Sequence, residues 1–294
     1  MRPQVVLTTT LLLNAVLFVA NLWVATISGS RTILAEGILT ATDLVGSALL
    51  LWGLWLSRRP PDPHHPFGFG KERYFWAFVS IVTTFTIAGI VALVTGLDQW
   101  IHPHSIGDLF EGFLVVVATL AASAAGMSVT LRELRLSRET LQGLLESSHQ
   151  GLKSVFYQDA VAIVGAVAAL GGLLAIYETH QAAIDGAVAA FEGFLLVATG
   201  FVLAAESREY LIGRALAPPM AQAVLGLVER DPRVAKVRSI QSMQLGPDDA
   251  LVALRINFQD GLTTDQLEAA IDQVGHDVRT AYPVIRHLVI EPES

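Results

Sequence analysis

Apolar residues run along this chain in six stretches long enough to cross a bilayer: Val5–Ile27, Ile33–Leu56, Phe75–Ile101, Leu109–Leu131, Val155–Tyr177 and Ala183–Ala205. A hydrocarbon core about 30 Å thick needs roughly 20 apolar residues in a helix, so each stretch predicts a membrane span. From Pro218 the pattern changes. Val234, Lys236, Arg238 and Ile240 fall in a polar–apolar strand pattern, while Leu267, Ile271 and Val274 recur at helical spacing. The tail is expected to run helix (Met220–Arg230), strand (Arg233–Leu245), strand (Ala250–Phe258), helix (Thr263–Tyr282) and strand (Ile285–Glu291). That order suggests a small α+β sandwich. The fold class is therefore membrane α-helical, with six transmembrane helices over residues 1–212 followed by a small cytoplasmic α+β domain over 213–294.

Composition narrows the function. Of 294 residues, 52% are hydrophobic and only 16% charged, with a mean hydropathy of +0.52. Soluble domains carry about 25% charged residues, so most of this chain cannot cover a water-facing surface. The net charge of −8 argues against a nucleic-acid partner, because phosphate binding needs a basic face. The absence of cysteine excludes disulfides and thiolate sites, leaving His, Asp, Glu, Asn or backbone oxygen for any metal. No nucleophile–base pair, phosphate loop or HExxH motif occurs, and FGFG at Phe67–Gly70 lacks the strand–turn–helix context of a nucleotide site. An enzyme is not expected, nor a cofactor.

Loop charges predict orientation. Arg58, Arg59, Lys71 and Arg73 follow the second span, and Arg132, Arg135, Arg138 and Lys153 follow the fourth. The loops after the third and fifth spans carry no Lys or Arg, and Arg31 is the lone exception. Both termini are expected in the cytoplasm. The first span is too long for a signal peptide and no Arg-rich transit peptide precedes it, which points to a cell membrane rather than an organelle.

A charged group at bilayer depth costs about 2.5–3.5 kcal/mol or more, so each one needs a reason. Glu36 and Asp43 share one face of the second span, beside Thr40 and Thr42. Gln158 and Asp159 are adjacent in the fifth span. Convergence of Asp43 and Asp159 would make an oxygen site for a divalent cation such as Zn²⁺, Mn²⁺, Fe²⁺ or Co²⁺. The competing interpretation is interhelical hydrogen bonding, which applies with equal weight to Asn14, Asn21 and Gln158. Asp98, Glu111 and Asp185 are expected to reach interfacial water, and no role follows for Glu192. In the loop Pro60–Tyr74, Asp62 with His64 and His65 has zinc-ligand chemistry on an exposed segment. His276 and His287 of the tail read as single surface or packing residues.

The stretch HHPFGFGKERYFWAF at His64–Phe78 resembles the signature that follows the second span in the cation diffusion facilitator family, closest to the branch containing zinc transporter nine. AEGILTATDL at Ala35–Leu44, YQDAVAIVG at Tyr157–Gly165 and MQLGPDDALVALRINFQDGL at Met243–Leu262 extend the likeness over nearly the whole chain. The resemblance implies a homodimeric transporter that exchanges a divalent metal cation, usually zinc, for protons across a lipid bilayer. It also implies a ferredoxin-like tail that dimerises. Carried over by position, Asp43 and Asp159 match two of four family ligands, while Leu39 and Val155 stand at the other two. Glu36 lies one turn from Leu39, and Gln158 stands where the related branch tends to have an acid. Asp62 and His65 match a loop metal site in which Phe69 replaces a histidine, and Glu291 and Glu293 close the tail without the usual histidines. The leading expectation is proton-coupled antiport of zinc by alternating access, with manganese or iron as the other cargoes. The alternative is a transport-deficient homologue acting as a dimeric membrane sensor or scaffold.

Overall fold

The computed structural model describes residues 3–28, 31–103, 109–137, 140–146 and 148–293, with the side chains of residues 24, 25, 28, 31–39, 111 and 146 outside the description. Two compact units emerge, one comprising Met1–Arg58 with Glu72–Arg208 and the other Arg59–Lys71 with Glu209–Ser294.

The first unit is helical. Its described elements are α1 (Pro3–Ser28), α2 (Arg31–Leu56), α3 (Glu72–Ile81), α4 (Ala88–Ile101), α5 (Leu109–Leu136), α6 (Leu141–Glu146), α7 (Gln150–Thr179) and the long α8 (Ala183–Ile212). A π-helical segment, Val82–Ile87, joins α3 to α4, so Glu72–Ile101 forms one 30-residue span. Five described helices are long and apolar enough to cross a membrane, and α2 contributes a further apolar stretch, Thr40–Leu56, within its 26 residues.

Small residues and a few polar pairs set the helix packing. Asn14 donates to Ser47 Oγ at 3.0 Å and Asn21 to Thr40 Oγ1 at 3.2 Å, which ties α1 antiparallel to α2. Their seven-residue spacing keeps both on one face. A Cβ at Gly96 or Gly193 would run into the backbone of the facing helix, so α4 and α8 touch main chain to main chain. Along α7 and α8, Gln150 meets Ser207, Lys153 meets Glu206, Gly165 meets Glu192 and Gly172 meets Val188. These pairs step in opposite directions along the two helices, so α7 and α8 run antiparallel.

Lys153 corrects an expectation. It is not a loop charge: α7 begins at Gln150, and Lys153 is 1% exposed, with Nζ 2.5 Å from Glu206 Oε1. An apolar search stops at a lysine, but a lysine neutralised by a partner across the interface can extend the helix inward.

The second unit folds as α9 (Pro218–Val228), β1 (Val234–Gly246), β2 (Asp249–Phe258), α10 (Thr264–Ala281) and β3 (Ile285–Pro292). This is the expected order. The sheet order is β1-β2-β3, antiparallel then parallel, with α10 as the crossover between the parallel pair. Ala250, Val252, Leu254 and Ile256 of β2 alternate inward against Val224 and Val228 of α9 and Ala270, Val274 and Val278 of α10. Thr263 caps α10 in a capping box with Gln266, which fixes the helix start at Thr264. The Arg59–Lys71 loop belongs to this unit. Lys71 Nζ donates to the Leu211 carbonyl at 3.3 Å, and Phe67 meets the His287 ring edge-on at 5.1 Å.

Candidate metal centre

Asp43 of α2 and Asp159 of α7 line one intramembrane cavity of about 90 Å³, together with Asn14, Asn21, Ser123 and Gln158. A water needs roughly 10–15 Å³ of such space, so a cation with part of its hydration shell fits. Asp159 is 8% exposed, and its Oδ2 has no hydrogen-bond partner among the described residues. A buried carboxylate oxygen left open costs free energy unless something positive meets it. Gly126 of α5 makes the space: a Cβ there would lie 2.7 Å from Asp159 Oδ2.

The other sequence candidates divide. Gln158 lines the cavity beside Asp159. Asn14 and Asn21 line it too, but their amide nitrogens are held by α2 hydroxyls, so they also act as helix–helix ties. Val155 is 1% exposed in a cluster with Leu50, Leu54 and Leu152, so that position serves packing. The side chains of Glu36, Leu39 and Glu111 lie outside the description. Among the described residues, no three His, Cys, Asp or Glu side chains converge as a metal cluster. A cation here would therefore rest on two carboxylates supplemented by neutral oxygens and water. The α5 contributors, Thr119, Ser123 and Gly126, were not found from sequence, because small residues in an apolar helix carry no distinct pattern.

Asp62 and His65 do meet, with His65 Nδ1 3.1 Å from Asp62 Oδ1. The same oxygen accepts the backbone N–H groups of His64 and His65 at 2.9 and 2.6 Å. Desolvation raises the Asp62 carboxyl's pKa, yet the hydrogen bonds from His65 and His64 outweigh it and hold the group below the usual carboxylate range. The pair works as a turn lock. In the tail, His287 is not isolated: its Nε2 lies 3.6 Å from Asp249 Oδ1. Glu291 pairs with Arg255 at 2.9 Å across β2 and β3.

Residues 7–212 match the model of the cation efflux transmembrane domain. The chain belongs to the cation efflux family. It is 27% identical over 285 residues to the protein named proton-coupled zinc antiporter SLC30A9, mitochondrial, of Xenopus laevis, covering 94% of this chain and 51% of that one. The protein of the same name from Homo sapiens is 25% identical over 249 residues, with 82% and 43% covered. The manganese efflux system protein MneP of Bacillus subtilis (strain 168) is 23% identical over 287 residues, with 95% and 92% covered. The chain spans about half the length of the SLC30A9 relatives it matches.

These names overturn the expected cell membrane with cytoplasmic termini: the membrane was inferred from the missing transit peptide and the sidedness from loop charges, whereas the SLC30A9 relatives are named as mitochondrial. A search for a leader reads only the first residues, and loop charges report sidedness without naming the membrane.

Proposed function

We propose that this chain moves a divalent metal cation across a membrane in exchange for protons, with Asp43 and Asp159 holding the ion between α2 and α7. The observation that carries this reading is the unpartnered Oδ2 of buried Asp159 in a cavity shared with Asp43. Two carboxylates match the charge of a dication, and in the empty state they would accept protons, which couples the two flows. Gln158 adds a neutral oxygen. Zinc is the first cargo to test, as the SLC30A9 name supports it; an oxygen-dominated site also suits harder ions, and the MneP name supports manganese. An organellar membrane is supported by the mitochondrial relatives. We extend the reading to a homodimer paired through the tail, because so small an α+β unit buries little by itself. Deleting Pro218–Ser294 should then lower the dimer fraction in detergent.

One observation favours a second reading. Without a third described acidic or imidazole ligand, the pair does not complete a tetrahedral zinc site. A sensor or scaffold that binds metal without moving it would have the same cavity. Metal flux into vesicles reconstituted with the full chain decides between the two: sustained uptake supports transport, and binding without uptake supports the sensor.

A further inference from the structure

A second cavity, of about 240 Å³, adjoins the first and shares Asp43, Thr119 and Gln158 with it. Its distinguishing polar residues are Thr84 and Glu192. Glu192 stands on α8, with its carboxylate against Gly165 of α7, where a Cβ would lie 2.5 Å from Oε1. Gly165 comes six residues after Asp159, about 9 Å farther along α7 at 1.5 Å per residue. It therefore lies farther from the Gln150 end of α7, with Asp159 nearer that end. Thr84 enters the same space from the π-helical segment Val82–Ile87, a local unwinding that recurs at functional sites.

The close contact between α8 and α4 is made by Gly193 next to it, and the absent Cβ of Gly165 leaves room on α7 for the carboxylate. An acid at bilayer depth is expensive and is kept where it faces a bundle interior or wet cavity on an ion path.

We infer that Glu192 is a second station for the transported cation, reached from the Asp43–Asp159 pair through the space bounded by Thr119 and Gln158. This rests on the reading that the chain carries a divalent cation. The second station has one carboxylate of its own and shares Asp43, so it binds more weakly than the central pair. Two unequal stations in line let an ion leave a site that holds it, since occupancy of one raises the free energy of the other. Asp43, common to both cavities, hands the ion over.

The test counts Mn²⁺ bound to the full-length protein in detergent by electron paramagnetic resonance, at increasing free Mn²⁺. The parent should show two classes of site. Glu192→Gln should weaken the looser class by about tenfold or more and leave the tighter one within about twofold. Gly165→Ala should also weaken the looser class, because the added methyl displaces the carboxylate without removing it. Asp159→Asn should do the reverse, removing the tighter class and sparing the looser. A parent with one class, or a folded Glu192→Gln with both classes intact, overturns the second station. So does a Glu192→Gln protein whose flux changes only in pH dependence while both Mn²⁺ classes persist, which would make Glu192 a proton carrier. Should Glu192→Gln fail to fold, an unchanged looser class in Gly165→Ala overturns it alone. Loss of neither class in Asp159→Asn overturns the central pair instead, whatever Glu192→Gln does.

Discussion

Gly126 and Asp159 fit one another: the hydrogen of the glycine faces the carboxylate, and a methyl group there would lie 2.7 Å from Oδ2 and 2.9 Å from Oδ1. The space around the candidate ligand is thus set by α5, a helix that supplies no charged group to the cavity. Gly126→Ala should push the carboxylate aside and weaken metal binding by about tenfold, equivalent to about 1.4 kcal/mol. Helix propensity favours alanine over glycine by about 1 kcal/mol. The variant should therefore melt at or above the parent temperature while binding less metal. Calorimetric titration with Zn²⁺ beside a thermal melt checks both halves.

Lys153 and Glu206 tie α7 to α8 with the lysine almost wholly buried. Removing one partner of a buried pair leaves a charge uncompensated, at roughly 3–5 kcal/mol, whereas replacing both with apolar residues is often neutral or better. Glu206 retains 25% exposure, so Glu206→Ala is expected at the lower end of that range. Lys153→Met combined with Glu206→Leu should recover most of the loss. Denaturation of the single and double variants in detergent measures the difference.

Asp231 accepts a two-pronged contact from Arg233, at 2.9 Å from Nε and 2.7 Å from Nη2, and this contact holds its carboxyl below the usual 3.8. A depressed carboxylate stabilises the fold fully above its unfolded pKa, and the contribution is lost as pH falls through the lower folded value. Protection of the tail amides against hydrogen exchange in the full chain should accordingly drop below about pH 4. Asp231→Asn should be less protected at neutral pH and lose less on acidification.

The two halves of the chain were legible for different reasons. Apolar length alone located the spans, and strand and helical patterning in the tail located β2 and α10 to within one residue at each end, because those patterns are local. The start of α7 was missed by five residues, since the partner that neutralises Lys153 lies 53 residues away. The π segment has no signature, because VTTFTI reads as ordinary span sequence. At the candidate site, Asp43 and Asp159 stood out by charge in an apolar background. Gly126, Ser123 and Thr119 did not, and Glu192 acquired a role only when Gly165 appeared opposite it. Local chemistry identifies which residues carry charge, and packing alone tells what they face.

The measurement that bears most directly on the central claim is metal flux through Asp159→Asn. Asparagine nearly preserves volume and hydrogen bonding but removes the charge that would attract a dication and accept a proton. Parent and variant, reconstituted at equal density into vesicles with an imposed proton gradient, are followed by a Zn²⁺ indicator inside. The account predicts gradient-driven Zn²⁺ uptake in the parent and a drop of about a hundredfold or more, over 2.7 kcal/mol, in a variant that still folds. Uptake in Asp159→Asn at the parent rate would contradict it.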